Sequence, residues 1–290
     1  MENAHDAVRL AAGSTLGDLR RWLRPGEARA VEANLAAGGF PADRTAVRRA
    51  FRAYGVTLLE LLCGLRRSPR DLAARLELSG AQALRPLLDD GAGFILVGLH
   101  TGNWEHAAYL ARRLGRRLVA PADIQLHPRL HPWLVRHKLQ RGIRLLPSGS
   151  PPRQLARALA AGDLVGLLFD GGQTGRGVTV RWGAGWMRVA AGPARLSRWS
   201  GRPIVPVLAQ RTGWMRQALT ILPPIPPPTP SRRSGAAGRR AEAACLQALA
   251  DRFARHLGPG TTPWCIFRPT ACYHQCGSST AAADRASRFA

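Results

Sequence analysis

His100 and Glu105 stand five residues apart in the segment His100-Thr101-Gly102-Asn103-Trp104-Glu105, an imidazole and a carboxylate separated by a glycine-containing turn. Five residues on one regular helix sweep about 500°, so the two side chains would not share a helical face. They meet only if His100 lies on a loop and Glu105 opens the helix that follows; Gly102 supplies the backbone freedom for that bend. In that arrangement Glu105 accepts the Nδ1 proton of His100, which fixes the other ring nitrogen as a base and stabilises the imidazolium it becomes. Such a base takes a proton from an acceptor hydroxyl or amine. A purely structural His–Glu pair is the competing reading of the same residue types.

Other chemistries fit less well. His-Glu-x-x-His is absent, and adjacent Glu105 and His106 diverge on a helix, which argues against a metallohydrolase. Of the five cysteines, Cys63, Cys245, Cys265, Cys272 and Cys276, the last two flank His274 but lack a fourth ligand at zinc-finger spacing, so no metal is expected. Glycines 171, 172, 175 and 177 predict a flexible loop, without the Gly-Lys-Ser/Thr of a phosphate cradle. There is no Gly-x-Ser-x-Gly elbow of a serine nucleophile.

The elements that must position His100 follow from pattern. Residues 94–99 and 163–169 are short continuous apolar runs, consistent with strands buried on both faces, and they end in His100 and Asp170. Residues 104–114 read as a helix closed by Gly115, and 132–140, 152–161, 192–199 and 241–257 as further helices. Strands are expected at 118–120, 143–146, 178–182, 204–209, 218–225 and 264–267. Helix is expected over 27–65, and over 71–88 with an interruption at Gly80. Strands alternating with helices predict a single α/β domain with a mixed, mostly parallel sheet. The expected organisation is an N-terminal leader at 1–28, the domain at 29–275 and a flexible tail at 276–290; residues 223–238 form a Pro/Ser/Arg loop.

Charge is the compositional outlier. The 290 residues carry 42 Lys+Arg against 18 Asp+Glu, a net +24, and Lys138 is the sole lysine. No acid falls between Asp170 and Glu242. Such an excess implies an anionic partner: nucleic acid, a phospholipid surface, an acidic carrier protein or a phosphorylated substrate. Nucleic acid is not expected, because helix-turn-helix, zinc-finger and RNP-like signatures are missing and aromatics are only 6%. The N-terminus lacks a basic-then-apolar signal pattern, and no apolar run is long enough to span a bilayer, so a cytoplasmic protein, peripheral on the inner membrane face, is expected. Trp182, Trp186 and Met187 are either core residues or an interfacial patch.

The segment Gly98-Leu99-His100-Thr101-Gly102-Asn103-Trp104-Glu105 resembles the His-x4-Asp/Glu box of the lysophospholipid acyltransferase superfamily, and its Gly-Asn-Trp-Glu wording is similar to the lipid A biosynthesis (lauroyl/myristoyl) branch and its phosphatidylinositol-mannoside relatives. Similar segments follow in order. Leu58-Leu59-Glu60-Leu61-Leu62 resembles the helix before the box. Residues 162–170 resemble the second strand with its terminal aspartate. Residues 192–207 resemble the Gly-Pro-Ala…Gly-x-Pro segment, and Trp264-Cys265-Ile266-Phe267-Arg268 resembles the closing Trp-x-x-x-Arg. About residues 30 to 275 are covered.

The resemblance implies a glycerol-3-phosphate/lysophospholipid acyltransferase-like fold and the transfer of a fatty acyl group from an acyl carrier protein or coenzyme A thioester to a lipid or glycolipid hydroxyl, with no bound cofactor. It implies His100 as general base, Glu105 as its orienting partner and Asp170 as support. It places a basic residue at Lys138 or Arg136, which with the backbone N–H groups at the start of the Asn103 helix is a candidate to stabilise the oxyanion. Gly102, Asn103, Trp104, Arg141, Gly192 and Arg268 are the expected substrate-binding residues. Two departures leave the acceptor open: the family's frequent N-terminal membrane helix is missing, and Gly172 stands where a second acid is common. Acylation of a hydroxyl or amine on a specialised metabolite, and a non-catalytic basic protein binding membrane or nucleic acid, are the alternatives.

Overall fold

The computed structural model describes residues 2–122, 129, 131–147, 149–171, 177–228, 235–257, 263–269 and 271–272. Most of the glycine loop at 171–177, residues 229–234 of the Pro/Ser/Arg loop, His274, Cys276 and the expected tail at 276–290 lie outside the described residues.

The chain opens with three helices: α1 (Glu2–Leu23), α2 (Pro25–Ala37) and α3 (Arg44–Gly64). The expected helix over 27–65 is therefore two, broken where Gly39 adopts a left-handed conformation and Asp43 caps α3 by accepting from the Ala46 N–H at 2.7 Å. The expected leader is an ordered helix against α3: glycines 13 and 17 face Gly55, and a Cβ on Gly55 would stand 2.2 Å from the Gly13 carbonyl oxygen. Small residues at this crossing let the two backbones approach.

Next come α4 (Pro69–Ala74), β1 (Leu76–Ser79), a 3-10 turn (Ala81–Leu84) and α5 (Arg85–Asp89). The helix expected over 71–88 is thus corrected. Its apolar residues suit several short elements, and Leu76–Ser79 completes the sheet edge by pairing with a later strand. Gly80, at φ +73, marks the turn as expected.

The remaining elements are β2 (Ile95–Gly98), α6 (Trp104–Ala107), α7 (Leu110–Arg113), β3 (Leu118–Ala122), α8 (His131–Leu139), β4 (Ile143–Pro147), α9 (Pro152–Ala160), β5 (Leu164–Leu168), β6 (Val178–Trp182), β7 (Gly185–Val189), α10 (Gly192–Ser200), β8 (Ile204–Gly213), β9 (Arg216–Ile221), α11 (Ala236–Ala254) and β10 (Ala271–Cys272). Seven strands form one sheet in the order β1-β9-β8-β2-β5-β3-β4. The five from β8 to β4 are mutually parallel, and β9 runs antiparallel to β8. A three-stranded sheet, β10-β7-β6, lies apart. This is the expected α/β architecture with a mostly parallel sheet and flanking helices.

The two core strands behave as their apolar runs predict. Along β2, Ile95, Val97 and Leu99 enter the core on one face of the sheet, while Phe94 and Leu96 enter the other, the period-2 alternation of a strand. Trp182 and Met187 are fully buried, so the core reading holds for both. The strand expected at 264–267 is reduced to an isolated bridge between Thr101 and Trp264.

Candidate active site

Register sets the site. Strand β2 pairs with β5 in parallel, with Gly98 opposite Leu168. His100 and Asp170 each lie two residues beyond that last pair, at neighbouring carboxyl ends of a parallel sheet, where open α/β sheets bind their ligands.

Asp170 meets His100 twice. Its Oδ1 lies 2.8 Å from His100 Nδ1, and its Oδ2 accepts the His100 backbone N–H at 2.9 Å. Oδ2 also accepts the Trp264 indole N–H at 2.6 Å. Burial pushes the Asp170 pKa up, but the neighbouring His100 and the hydrogen bonds from His100 and Trp264 outweigh it, and the net direction is below the ordinary value. A carboxylate in that state stays ionised and accepts a hydrogen bond, so Nδ1–H donates and Nε2 carries the free lone pair. The His100 side chain keeps 20% of its surface exposed. The Trp104 and His100 rings meet edge to face with centroids 4.8 Å apart, and Tyr54 stacks on Trp104 at 6.4 Å.

Glu105 was expected to orient His100; in the structure the carboxylate on His100 Nδ1 is that of Asp170. Glu105 lies in the first turn of α6, and its carboxylate accepts from the Lys138 ammonium of α8. Both side chains of this pair are largely buried. The reason is local: Asn103 caps α6 through the His106 N–H at 2.9 Å, so Glu105 projects from the helix while His100 remains at the strand end. The pairing could have been found in the sequence by noting that two buried apolar strands end, one in His and one in Asp.

The other expected residues separate into groups. Gly102, at φ +56, is buried in the turn, where a Cβ would stand 2.6 Å from the Ala209 carbonyl oxygen. Asn103 is 2% exposed, its amide nitrogen bonded to Glu60 and its backbone N–H to Gln217. The Asn103 N–H and the Lys138 ammonium thus already have partners inside the protein. Arg136 lies exposed two residues before Lys138 on α8. Arg141 donates to the Gly64 and Leu65 carbonyls and secures the end of α3. Arg268 donates to the carbonyl of Gly171, beside Asp170. Gly192 opens α10, with open space where a Cβ would be. Three residues that the expected site set did not include stand out: Trp264 on Asp170, and Glu60 and Gln217 on Asn103. Among the described residues, no group of three His, Cys, Asp or Glu side chains is placed to hold a metal ion.

Comparison with known proteins gives the setting of this geometry. A family described as bacterial lipid A biosynthesis acyltransferase matches residues 6–270. Among curated proteins, a phosphatidylinositol mannoside acyltransferase of Mycobacterium tuberculosis is 29% identical over 209 residues, covering 69% of this chain and 62% of the relative. A protein of the same description from Mycolicibacterium smegmatis is 27% identical over 205 residues, covering 68% of this chain and 63% of the relative. The matches thus span less than two thirds of the length of these relatives.

Proposed function

The chain belongs to the bacterial lipid A biosynthesis acyltransferase family, and we propose that it moves a fatty acyl group from an acyl carrier protein or coenzyme A thioester to a hydroxyl of a lipid or glycolipid. The observation that carries this reading is the 2.8 Å contact between His100 Nδ1 and Asp170 Oδ1 at the carboxyl ends of β2 and β5. Asp170 holds the Nδ1–H, and Nε2 takes the proton of the acceptor hydroxyl as its oxygen attacks the thioester carbonyl. The adduct collapses, the C–S bond breaks, and the imidazolium returns the proton to the departing thiolate. General-base catalysis of this kind is worth about 10²–10⁴-fold. The scheme uses no bound cofactor and no acyl-enzyme. The description of the mycobacterial relatives makes a mannosylated phosphoinositide the first acceptor to try; a lipid A precursor and a lysolipid follow.

The surface supports a peripheral position on the inner, anionic face of a membrane. No helix among the described residues is long and apolar enough to cross a membrane. On α1, however, Val8, Leu16, Leu19, Trp22 and Leu23 are all exposed, Trp22 by 75%. At 100° per residue they fall within one stripe about 120° wide. Isolated exposed apolar residues are ordinary, but five along one helix form a patch. Arginines 21 and 24 flank its end, and each cation near an anionic leaflet contributes about 1 kcal/mol.

The test is thiol release from acyl carrier protein and coenzyme A thioesters of several chain lengths, with and without the acceptors named above. Release by the wild type that is lost in folded His100→Ala supports the reading. Release from no thioester, or release indifferent to His100, sinks it and leaves a basic binding protein.

A further inference from the structure

The turn that carries the His-x4-Glu segment is held from below by a carboxylate outside that segment. Glu60, on α3, has a fully buried side chain. Its two oxygens accept four hydrogen bonds: from Asn103 Nδ2 at 2.7 Å, from the Met215 N–H at 2.7 Å, and from Arg211 Nη2 at 3.0 Å and Nε at 3.3 Å. The same guanidinium donates to Thr57 Oγ1 at 2.6 Å, and Thr57 shares its hydroxyl between the carbonyls of Ala53 and Gly102 at 3.0 Å each. Gln217 Oε1 accepts the Asn103 N–H at 3.0 Å. Met215 has φ +54, a conformation that a non-glycine residue adopts at a cost, and Glu60 holds its N–H there.

A buried ion pair is a poor way to join α3 to β8. An apolar residue of similar volume would do that without desolvating a charge. What an apolar residue lacks is acceptor oxygens facing the catalytic turn, the strained β8–β9 connection and a guanidinium at once. We propose that Glu60 is a positioning residue for acyl transfer: acting through Asn103 and Arg211, it fixes residues 101–104 so that His100 stays against Asp170 and Trp104 against the imidazole. The inference rests on the acyl-transfer reading for its kinetic arm only.

Each of these hydrogen-bond partners of Glu60 is a donor, which makes the amide substitution informative. Glu60→Gln turns an NH2 group toward N–H donors and breaks the set. Asn103→Ser keeps an oxygen to cap α6 but loses the amide nitrogen that reaches Glu60. The double variant Glu60→Gln/Asn103→Asp restores the contact between these two side chains with donor and acceptor exchanged, and leaves the new NH2 facing Arg211 Nη2. Thiol release, thermal unfolding and the downfield Nδ1 proton resonance of His100 are measured on all of them. In both single variants kcat is expected to fall about 10–100-fold with little change in the thioester KM, as for a sub-ångström to ångström misplacement of a catalytic group. The resonance broadens or disappears in both, and the exchanged pair recovers part of kcat and of the resonance, the part carried by the contact with Asn103.

If Glu60→Gln does not fold, Asn103→Ser decides. Folded Asn103→Ser with wild-type kcat and an unchanged resonance overturns the proposal. So does an exchanged pair that recovers melting temperature but not kcat, because that is the behaviour of a residue with a structural role alone. A wild type that releases no thiol ends the acyl-transfer reading, and the resonance still judges whether Glu60 positions His100.

Discussion

Asp170 grips His100 at both backbone and ring, with one carboxylate oxygen on the main-chain N–H and the other on Nδ1. The oxygen on the backbone is shared with the Trp264 indole, so two N–H donors converge on it. A carboxamide in place of Asp170 must keep its oxygen at that position, which turns its NH2 toward Nδ1. His100 would then carry its proton on Nε2, the nitrogen that should act as base. Asp170→Asn is therefore expected to stay folded and to lose about 10³–10⁴-fold in thiol release, the loss that follows when an Asp–His pair holds the wrong tautomer. Steady-state thiol release alongside thermal unfolding checks this; a folded Asn variant with near wild-type turnover removes Asp170 from the mechanism.

Glu105 and Lys138 call for the opposite design. Removing one member of a largely buried pair leaves an uncompensated charge, which costs about 3–5 kcal/mol, whereas replacing both with apolar residues of similar volume is near neutral. Glu105→Ala is expected to lower stability by about that amount, and Glu105→Leu/Lys138→Met to recover most of it. Urea unfolding of the single and double variants reads the difference. Equal losses in the two would mean that the pair does not act as a unit.

These two pairs show where the sequence is legible. The strands ending in His100 and Asp170 are visible as apolar runs, because a strand buried on both faces admits little else. Their adjacency is not visible, since strand order is a property of the whole sheet: β5 reaches β2 past β3 and β4 in sequence. Hence sequence spacing favoured Glu105, five residues away, over Asp170, seventy residues away. β1 escaped for a related reason, because Leu76–Ser79 becomes a strand only by pairing with β9 about 140 residues later. Glu60 appeared within a leucine-rich helix segment, and nothing in that stretch points to Asn103 or Arg211.

The crossing of α1 on α3 depends on missing side chains. A Cβ on Gly55 would stand 2.2 Å from the Gly13 carbonyl oxygen and 2.5 Å from the Gly17 nitrogen, both backbone atoms that cannot rotate aside. Gly55→Ala is expected to push α1 outward and to destabilise by about 1–3 kcal/mol, the usual range for overpacking. Gly26→Ala, where a Cβ would meet nothing within 4 Å, is the control. Thermal unfolding of both tests this; equal melting temperatures would show that α1 does not pack as described.

Acid should weaken the fold in two separate windows. His106 is buried, with its Nε2–H donating to the Leu72 carbonyl at 2.7 Å. Burial pushes its pKa down, and the hydrogen bond to Leu72 only partly opposes that. The folded state therefore keeps His106 neutral where the unfolded chain, with a histidine pKa of about 6.5, takes up a proton. Stability from this group is complete above about pH 6.5 and is lost as pH falls toward the lower folded value. His137 shifts in the same direction, first by burial and then by Arg141 and Lys138. Asp170 acts further down: its depressed folded pKa stabilises above about 3.9 and is lost as pH falls through the folded value. The urea midpoint is expected to drop from pH 7 to 5 and again below pH 4. In His106→Gln, whose amide can still donate to Leu72, the upper slope should flatten while the lower one remains. An unchanged upper slope in that variant would assign the loss to another group.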